Sequence, residues 1–311
     1  MKTVSVIVPV YNGKDFIDQH TDFLMSQTHK KMEVLFVVDS RSKDNSIEIA
    51  KKACLRLGNS RVIVQDDNMG LGGARNIGLD HSSGDLICFT DVDDGLLPEY
   101  LEELVKAQKE TNAEIVTCDG VWSTSVGNSY KKKACTSETL TRDEGILFLG
   151  SGDIPVNTWC KLFVRDFLLK NNLYFIKGYH EDADHSYRSF SKATTICRLK
   201  CPLYIYYQHE SSICGKNKGP MAEGSLKVYG DLRDFFSKEN GSTYEIYRRS
   251  SLKNLLHCIS LAEWEEYQLY SQDKRIKEDA KDFKFKSPEF LLFSISPRVY
   301  YKLANIVRKI R

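Results

Sequence analysis

Residues 86–94 are Leu86-Ile87-Cys88-Phe89-Thr90-Asp91-Val92-Asp93-Asp94, an apolar stretch that ends in three carboxylates. The apolar part has the composition of a buried β-strand. Carboxylates this close repel one another, and each raises the pKa of its neighbours. A divalent cation offsets that repulsion, and oxygen ligands suit Mg²⁺ or Mn²⁺. The stretch therefore predicts a buried strand with a metal site, and through the metal a diphosphate site, at its carboxyl end.

Other apolar runs surround this strand, and helical patterns separate them. The runs cover residues 4–10, 33–38, 61–64 and 114–117. Runs without alternation suit strands that are covered on both faces. The alternation of strands and helices predicts an α/β fold with a mostly parallel sheet and flanking helices. Such sheets bind ligands outside the carboxyl ends of their strands.

Composition excludes several classes of protein. A chain of 311 residues with 41% hydrophobic and 28% charged residues has the make-up of a globular protein with one or two domains. The net charge of +2 gives no sign of a nucleic-acid partner. The nine cysteines show neither a CxxC pair nor zinc-finger spacing, which predicts reduced thiols and a cytoplasmic location. No window approaches the ~18 apolar residues of a membrane-spanning helix.

Polar residues gather where the other predicted strands end. Tyr11 follows the first strand, Asp39 ends the second, and a glycine-rich stretch with Arg75 follows the third. In a parallel sheet these ends share one edge, where Tyr11 would stack on a base and Asp39 would accept a hydrogen bond from a ring N–H. Arg75 would approach phosphate oxygens, and the glycines would let backbone come close. Taken alone, each signal also fits an ordinary loop, and residues 70–73 do not form a dinucleotide fingerprint.

The ordered set of these signals resembles family 2 glycosyltransferases with the GT-A fold. The likeness covers roughly the first two-thirds of the chain. Ser40-Arg41 departs from it, because the family usually has Asp-Gly there; Arg41 either alters the choice of nucleotide or points to solvent. The segments that carry the likeness are Val4-Ser5-Val6-Ile7-Val8-Pro9-Val10-Tyr11-Asn12, Gln27-Thr28, Val38-Asp39 through Asp44-Asn45-Ser46, residues 68–78, and the DxD-like Asp91-Val92-Asp93-Asp94.

The resemblance implies a donor site for a nucleotide-sugar, with UDP-sugar the favoured class, and Mn²⁺ or Mg²⁺ as cofactor. His209 stands near the place where the family often has a basic residue, although a single histidine is usually structural. The implied nucleotide-sugar-binding residues are Pro9, Tyr11, Asn12, Asp39, Asn68, Gly70, Arg75, Asp91 and Val92, and the implied metal ligands are Asp93, Asp91 and His209.

The resemblance also implies an acceptor site. Glu181-Asp182 matches the ED motif of the family, which makes Asp182 the general base and Glu181 its neighbour in the catalytic pair. Asp184 is a rival, and a solvated acidic helix start is the structural alternative. Residues 157–162 resemble the segment that precedes this motif. In it, Lys161 is a predicted acceptor contact, and Trp159 is either a platform for a sugar face or part of the core.

We predict a catalytic domain at residues 1–215, with a nucleotide-sugar half at about 1–120 and an acceptor half at about 121–215, and a helical C-terminal extension at 216–311. The extension ends in a basic stretch in which Val299, Leu303, Ile306 and Ile310 share one helical face. This pattern fits a helix that lies on an anionic membrane, and it equally fits a terminal helix packed on the domain.

Together these features predict a metal-dependent, inverting glycosyltransferase. It would move a sugar to a hydroxyl of a glycan or lipid-linked acceptor in cell-surface polysaccharide synthesis. Its predicted location is cytoplasmic and peripheral on the inner membrane face, with membrane contact through residues 297–311. One alternative is a sugar-nucleotide nucleotidyltransferase, which residues 10–13 disfavour because they lack a glycine- and basic-rich phosphate loop. A non-catalytic sugar- or lipid-binding module is the other.

Overall fold

The computed structural model describes residues 2–66, 70–123, 134–208, 218–238 and 241–310. The chain divides into two compact units, one of Met1–Arg142 with Ile154–His209 and one of Asp143–Asp153 with Glu210–Arg311. The predicted boundary follows residue 215, whereas the division falls between residues 209 and 210.

A short early segment, residues 143–153, belongs to the second unit. Asp143 accepts a hydrogen bond from Thr243 (2.6 Å), and the Gly150 carbonyl accepts one from Asn254 (2.9 Å). These partners lie about a hundred residues further along the chain, so local sequence patterns do not reveal the assignment.

The first unit is built on one mixed sheet. Its strands are β1 Val4–Val10, β2 Met32–Asp39, β3 Ser60–Gln65, β4 Leu86–Phe89, β5 Gly95–Leu96, β6 Ile115–Ser123, β7 Ser137–Leu140, β8 Lys161–Val164 and β9 Ile196–Tyr207. They lie in the order β3-β2-β1-β4-β8-β6-β9-β5, with β7 paired to β9. Every residue of β1 is buried, as the unbroken apolar run predicts.

Parallel pairing joins β3, β2, β1 and β4, and also joins β6 to β9. The pairs β4–β8, β6–β8, β5–β9 and β7–β9 are antiparallel. The predicted α/β class is confirmed, and its parallel part lies chiefly in the half that precedes residue 120. Strands as short as β5 and β8 carry no periodic signal of their direction.

Helices cover this sheet and form the second unit. In the first unit they are α1 Ile17–Ser26, α2 Ser46–Leu57, α3 Gly70–His81, α4 Tyr100–Thr111, α6 Arg165–Lys170 and α7 Glu181–Lys192, with a 3₁₀ turn at Thr158–Cys160. Helix α5, Arg142–Ser151, begins at the boundary. The second unit adds α8 Lys218–Ser237, α9 Gly241–Ile259, α10 Trp264–Tyr270, α11 Lys274–Asp282, α12 Pro288–Ile295 and α13 Pro297–Ile310.

The second unit is helical throughout its described part, around a buried ionic centre. Asp279 accepts hydrogen bonds from Arg233 (3.2 Å), Arg248 (2.6 Å) and the Tyr229 hydroxyl. Within the described residues, no helix is both long and apolar enough to cross a membrane.

One cysteine prediction is wrong. Cys135 and Cys201 form a disulfide, although the spacing pattern predicts reduced thiols throughout. The two residues are 66 positions apart in sequence and become neighbours only because the segment at β7 pairs with β9. The free cysteines among the described residues are Cys54, Cys88, Cys118, Cys160, Cys197 and Cys258.

Candidate active site

The carboxyl ends of β1, β2 and β4 share one edge, because all three strands pair in register from Val4 onward. Residues 91–94, which we call the acidic turn, follow β4 at this edge. The turn closes through a hydrogen bond from the Asp94 N–H to the Asp91 carbonyl oxygen (3.1 Å). The predicted parallel register thus brings the acidic turn beside the loops that follow β1 and β2.

Asp94 anchors the acidic turn to β9. Its carboxylate accepts hydrogen bonds from the Tyr204 hydroxyl (2.8 Å) and from the Tyr207 N–H (3.1 Å). Burial, reinforced by the charges of Asp91 and Asp93, raises the pKa of Asp94 to about 9. Through these two hydrogen bonds Asp94 acts as a structural anchor of the turn.

His20 on α1 holds the turn from the other side. Its Nδ1 lies 3.0 Å from the Asp94 carbonyl oxygen and its Nε2 lies 3.0 Å from Thr90 Oγ1. Because a carbonyl oxygen only accepts, Nδ1 carries the hydrogen, and Nε2 accepts from the Thr90 hydroxyl. Burial lowers the pKa of His20 to about 4, so the ring is neutral. Sequence reasoning misses this contact, because His20 and Asp94 are 74 residues apart in the chain.

Arg75 joins the acidic turn to the Glu181-Asp182 pair. Its buried guanidinium donates to Asp91 Oδ1 (3.0 Å), Glu181 Oε1 (2.9 Å) and Asp182 Oδ1 (2.6 Å). Burial alone lowers the pKa of Arg75, and the three carboxylates outweigh burial and raise it. We predict a phosphate contact for Arg75, and the structure shows carboxylate contacts, so the phosphate contact stays a prediction.

The glycine-rich stretch is the first turn of α3, and the interpretation of residues 70–73 as a loop is wrong. A Cβ atom on Gly72 would lie 2.5 Å from the Ile176 carbonyl oxygen, and one on Gly78 would lie 2.3 Å from Ile7 Cγ2. The glycines therefore let α3 pack closely on β1 and on the segment before α7. This close packing carries Arg75 to its carboxylate partners.

The predicted general base lies at the start of α7, next to Glu181. Asp182 accepts a hydrogen bond from Arg75 and a second from the Thr158 hydroxyl, and both end on Oδ1. Both hydrogen bonds orient the carboxylate through this one oxygen. Burial, together with the charge of Asp182, raises the pKa of Glu181 to about 7.

The rival base has a different environment. Asp184 Oδ2 accepts two hydrogen bonds from the Arg188 guanidinium, one of them from Nε at 2.8 Å. Asp184 is buried, and Arg188 lies one turn further along the same helix. This geometry gives Asp184 a structural role and favours Asp182 as the base.

Of the two alternatives for Trp159, the sugar platform is wrong and the core position is confirmed. The side chain is 2% exposed and stacks on Tyr204 with ring centroids 4.4 Å apart, and Tyr206 lies parallel to it at 5.9 Å. The exposed aromatic side chain beside it is Trp122, which is 55% exposed and 6.3 Å from the Trp159 ring.

The prediction that Lys161 contacts the acceptor is also wrong. Its buried Nζ donates to the carbonyl oxygens of Pro155 and Asn157, both at 2.5 Å. Burial lowers the pKa of Lys161 to about 8. Lys161 therefore holds the backbone that leads to Thr158, the residue that orients Asp182.

The loops after β1 and β2 are bound to each other at the sheet edge. Asn12 accepts a hydrogen bond from the Lys43 N–H (2.8 Å), and the neighbouring Tyr11 ring is 58% exposed. Pro9 and Val92 are buried, so their side chains offer little surface to a ligand.

Asp39, at the end of β2, forms an ion pair with Arg41. Arg41 Nε lies 2.9 Å from Asp39 Oδ1, and Arg41 Nη2 lies 2.5 Å from Oδ2. The hydrogen bond from the Arg41 side chain holds the pKa of Asp39 below its ordinary value. Arg41 therefore pairs with Asp39 while part of its side chain faces solvent.

Residues 5–173 match the model of the family described as glycosyl transferase family 2. The chain belongs to this family. It is therefore a transferase enzyme, and the predicted family is confirmed. The putative glycosyltransferase EpsH of Bacillus subtilis is 29% identical over 269 residues, which cover 84% of this chain and 77% of EpsH.

Two solved structures confirm the GT-A fold of this family 2 member. S. aureus TarS 1–349, in complex with UDP-GlcNAc, matches with a TM-score of 0.71 at 17% identity, over 99% of this chain and 92% of that one. Mannosyltransferase PcManGT from Pyrobaculum calidifontis, in complex with GDP-Man and Mn²⁺, matches with a TM-score of 0.60 at 13% identity, over 98% and 86%. At sequence identities of 17% and 13%, these matches show a shared fold and nothing about the substrate.

Two donor-site predictions from the family resemblance, Asn68 and His209, lie outside the described residues. In the part of the chain that the structure describes, no group of three or more His, Cys, Asp or Glu side chains is arranged to hold a metal. Proteins commonly bind Mg²⁺ through one or two carboxylates together with substrate phosphates. The half-buried carboxylates of Asp91 and Asp93 fit that kind of site.

Proposed function

We propose that this family 2 member is an inverting, metal-dependent glycosyltransferase that moves a sugar from a UDP-sugar to a hydroxyl of a glycan or lipid-linked acceptor. We place it in cell-surface polysaccharide synthesis. The observation that carries the proposal is the Arg75 guanidinium, which donates to Asp91 and Asp182 at once. The proposed donor-metal carboxylate and the proposed base thus lie at one reaction centre. The UDP-GlcNAc complex of TarS supports the choice of donor.

Asp182 takes the acceptor proton. The hydroxyl oxygen forms a bond to the anomeric carbon while the bond from that carbon to the leaving phosphate breaks, and the proton passes to Asp182 Oδ2. Arg75 and Thr158 keep Oδ1 in place, so Oδ2 keeps its direction through the reaction. Glu181 shares the same Arg75 nitrogen and positions the pair. A single displacement of this kind inverts the anomeric centre.

Asp91 and Asp93 would hold the cation. Burial and the nearby carboxylates raise the pKa of Asp91 to about 6, against the opposing charge of Arg75, and a bound cation would favour its ionised form. Mn²⁺ or Mg²⁺, when bound, neutralises the charge that develops on the leaving nucleotide. The Mn²⁺ in the PcManGT complex supports a divalent cofactor.

The nucleotide would bind at the edge formed by the ends of β1 and β2. Tyr11 offers an exposed ring for base stacking, and Asp39 offers a carboxylate for a ring N–H. Backbone groups around Pro9, Asn12, Asn68, Gly70 and Val92 complete the proposed donor site. Family membership weighs against both alternatives, the nucleotidyltransferase and the non-catalytic module.

Calorimetric titration with UDP tests the donor and the metal together. We expect UDP to bind in Mn²⁺ and to lose binding when the metal is chelated. Asp93→Asn should weaken the metal-dependent binding at least about tenfold, because the cation loses a charged ligand. The control Asp15→Asn removes one exposed carboxylate from the loop after β1 and should have little effect. Equal UDP binding with and without metal would refute the metal dependence.

We also propose that α13 gives peripheral contact with the cytoplasmic face of a membrane, as part of a helical extension at residues 216–311. Tyr300 is buried within the second unit, and Tyr301 donates to the Ala262 carbonyl oxygen (3.2 Å). Other apolar side chains of this helix are exposed, and the helix has no acidic residue; the exposed ones are Val299, Leu303, Ile306 and Val307. Apolar exposure beside Arg298 and Lys302 suits an anionic lipid surface better than a packed helix.

Vesicle co-sedimentation tests this contact. Wild-type protein should sediment with vesicles that contain phosphatidylglycerol and much less with pure phosphatidylcholine. The double variant Leu303→Ser/Ile306→Ser should bind about tenfold more weakly, because two apolar side chains no longer enter the lipid. The matched control Leu55→Ser/Leu269→Ser changes two exposed leucines elsewhere and should bind like wild type. Equal binding by both double variants would contradict the proposal.

A further inference from the structure

The Arg41 guanidinium, a planar cation, pairs with the Asp39 carboxylate. The proposed function assigns this carboxylate to recognition of the nucleobase. The Arg41 side chain bridges both Asp39 oxygens, at 2.9 Å and 2.5 Å. The Arg41 side chain is 44% exposed, so water reaches the pair. Ion pairs with an exposed partner contribute little net stability, because water competes for both charges. The pair can therefore open when a better partner for Asp39 arrives.

The same guanidinium also lies near the aromatic ring assigned to stacking. Arg41 Cζ is 6.0 Å from the centroid of the Tyr11 ring, which is within the range of a cation–π contact. One planar group with N–H donors thus makes both contacts expected of a nucleobase, the carboxylate contact and the aromatic contact. A base and this guanidinium cannot occupy both positions together.

The two oxygens of Asp39 differ in how they are held. Oδ1 also accepts a hydrogen bond from the Arg41 backbone N–H (2.9 Å), which closes a local turn. Oδ2 accepts from the Arg41 side chain. Removal of the side chain alone therefore leaves Asp39 oriented by the backbone and makes Oδ2 available to a ring N–H.

We propose that Arg41 is a specificity residue of the donor site, which competes with the nucleobase for Asp39 and Tyr11. The ligand class is a nucleoside diphosphate whose base carries a ring N–H able to replace a guanidinium N–H on a carboxylate. This inference rests on the proposed function, since it takes UDP as the donor nucleotide. A base without such a donor does not displace the cation and is rejected.

The decisive variant is Arg41→Ala, with UDP affinity measured by calorimetry in Mn²⁺. Loss of a cation near a diphosphate site ordinarily weakens binding of an anion. The proposal predicts the opposite sign, with UDP bound about threefold more tightly, because the competing contact is gone. Arg41→Lys keeps the charge but cannot bridge both oxygens, so its affinity should fall between the two.

Lys43→Ala is the matched control. It removes the same charge from the same loop, two residues further on, and Lys43 is held to Asn12 through its backbone N–H. It should bind UDP no more tightly than wild type. In an Asp39→Asn background, Arg41→Ala should bring no tightening, because the pair it breaks is already lost. Thermal melts check that each variant is folded.

The possible outcomes distinguish a failure of this inference from a failure of the proposed function on which it rests. Tighter UDP binding by Arg41→Ala, absent in Lys43→Ala and in the Asp39→Asn background, supports the competition. Unchanged or weaker UDP binding by folded Arg41→Ala overturns it and leaves the UDP donor in place. Failure of wild type and every variant to bind UDP in Mn²⁺ overturns the donor assignment and this inference with it.

Discussion

Asp182→Asn should lower the rate of sugar transfer about 10²- to 10⁴-fold, the range that a positioned general base contributes. An amide cannot take up the acceptor proton, so the hydroxyl would have to attack without a base. The change keeps the shape of the side chain and its acceptor oxygen toward Arg75 and Thr158. The measurement is transfer under saturating donor, with release of the nucleotide as the signal.

Binding separates loss of the base from loss of the site. Asp182→Asn should still bind UDP in Mn²⁺, because the proposed nucleotide contacts lie at Tyr11 and Asp39. Asp166→Asn, an exposed aspartate on α6, is the matched control and should transfer at the wild-type rate. Transfer at the full rate by folded Asp182→Asn would show that another group takes the proton.

Arg75→Met should destabilise the protein by about 3–5 kcal/mol, the typical cost of removing one partner from a buried ion pair. Three carboxylates would then lie close together without their shared cation: Asp91, Glu181 and Asp182. Methionine keeps much of the side-chain volume, so the loss reports charge more than an empty cavity. Urea unfolding at neutral pH measures the free energy of unfolding.

The pH dependence of this destabilisation tests whether repulsion between the carboxylates causes it. The pKa of Asp91 is already raised to about 6 and that of Glu181 to about 7, and loss of Arg75 removes a charge that lowers both. The folded variant would then take up protons more readily than the unfolded chain, so its deficit should shrink as pH falls.

The control for Arg75 is a surface arginine. Arg56→Ala removes exposed pairs with Asp18 and Asp22 and should cost less than about 1 kcal/mol. A cost of that small size for Arg75→Met would mean that the three carboxylates do not depend on their shared cation. The central place of Arg75 in the site would then be wrong.

Much of the first unit is predictable from local pattern. The strands β1, β2 and β4 are continuous apolar runs, and burial on both faces leaves little else that such runs can form. The acidic turn follows from its own residues, because carboxylates after a buried strand are costly without a partner. The Glu181-Asp182 pair was recognisable only through family resemblance, since acidic residues at a helix start are common.

The acceptor-side predictions failed where burial decides the role. Trp159 and Lys161 have side chains that can bind sugars at a surface, yet packing places both in the core. Residue type says what a side chain can do, and its neighbours decide whether a ligand can reach it. For Lys161 those neighbours are backbone carbonyls of the preceding loop.

By itself, the sequence indicated the family, the buried strands β1, β2 and β4 and the position of the acidic turn, because apolar runs and ordered motifs along the chain carry these signals. Only the tertiary structure decided that Arg75 joins the turn to the base, across separations of 16 and 107 residues. Coulombic attraction acts through space, and close packing at Gly72 and Gly78 sets the distance over which it acts. In the tertiary structure, the acidic turn and the predicted general base therefore lie on either side of one guanidinium, that of Arg75.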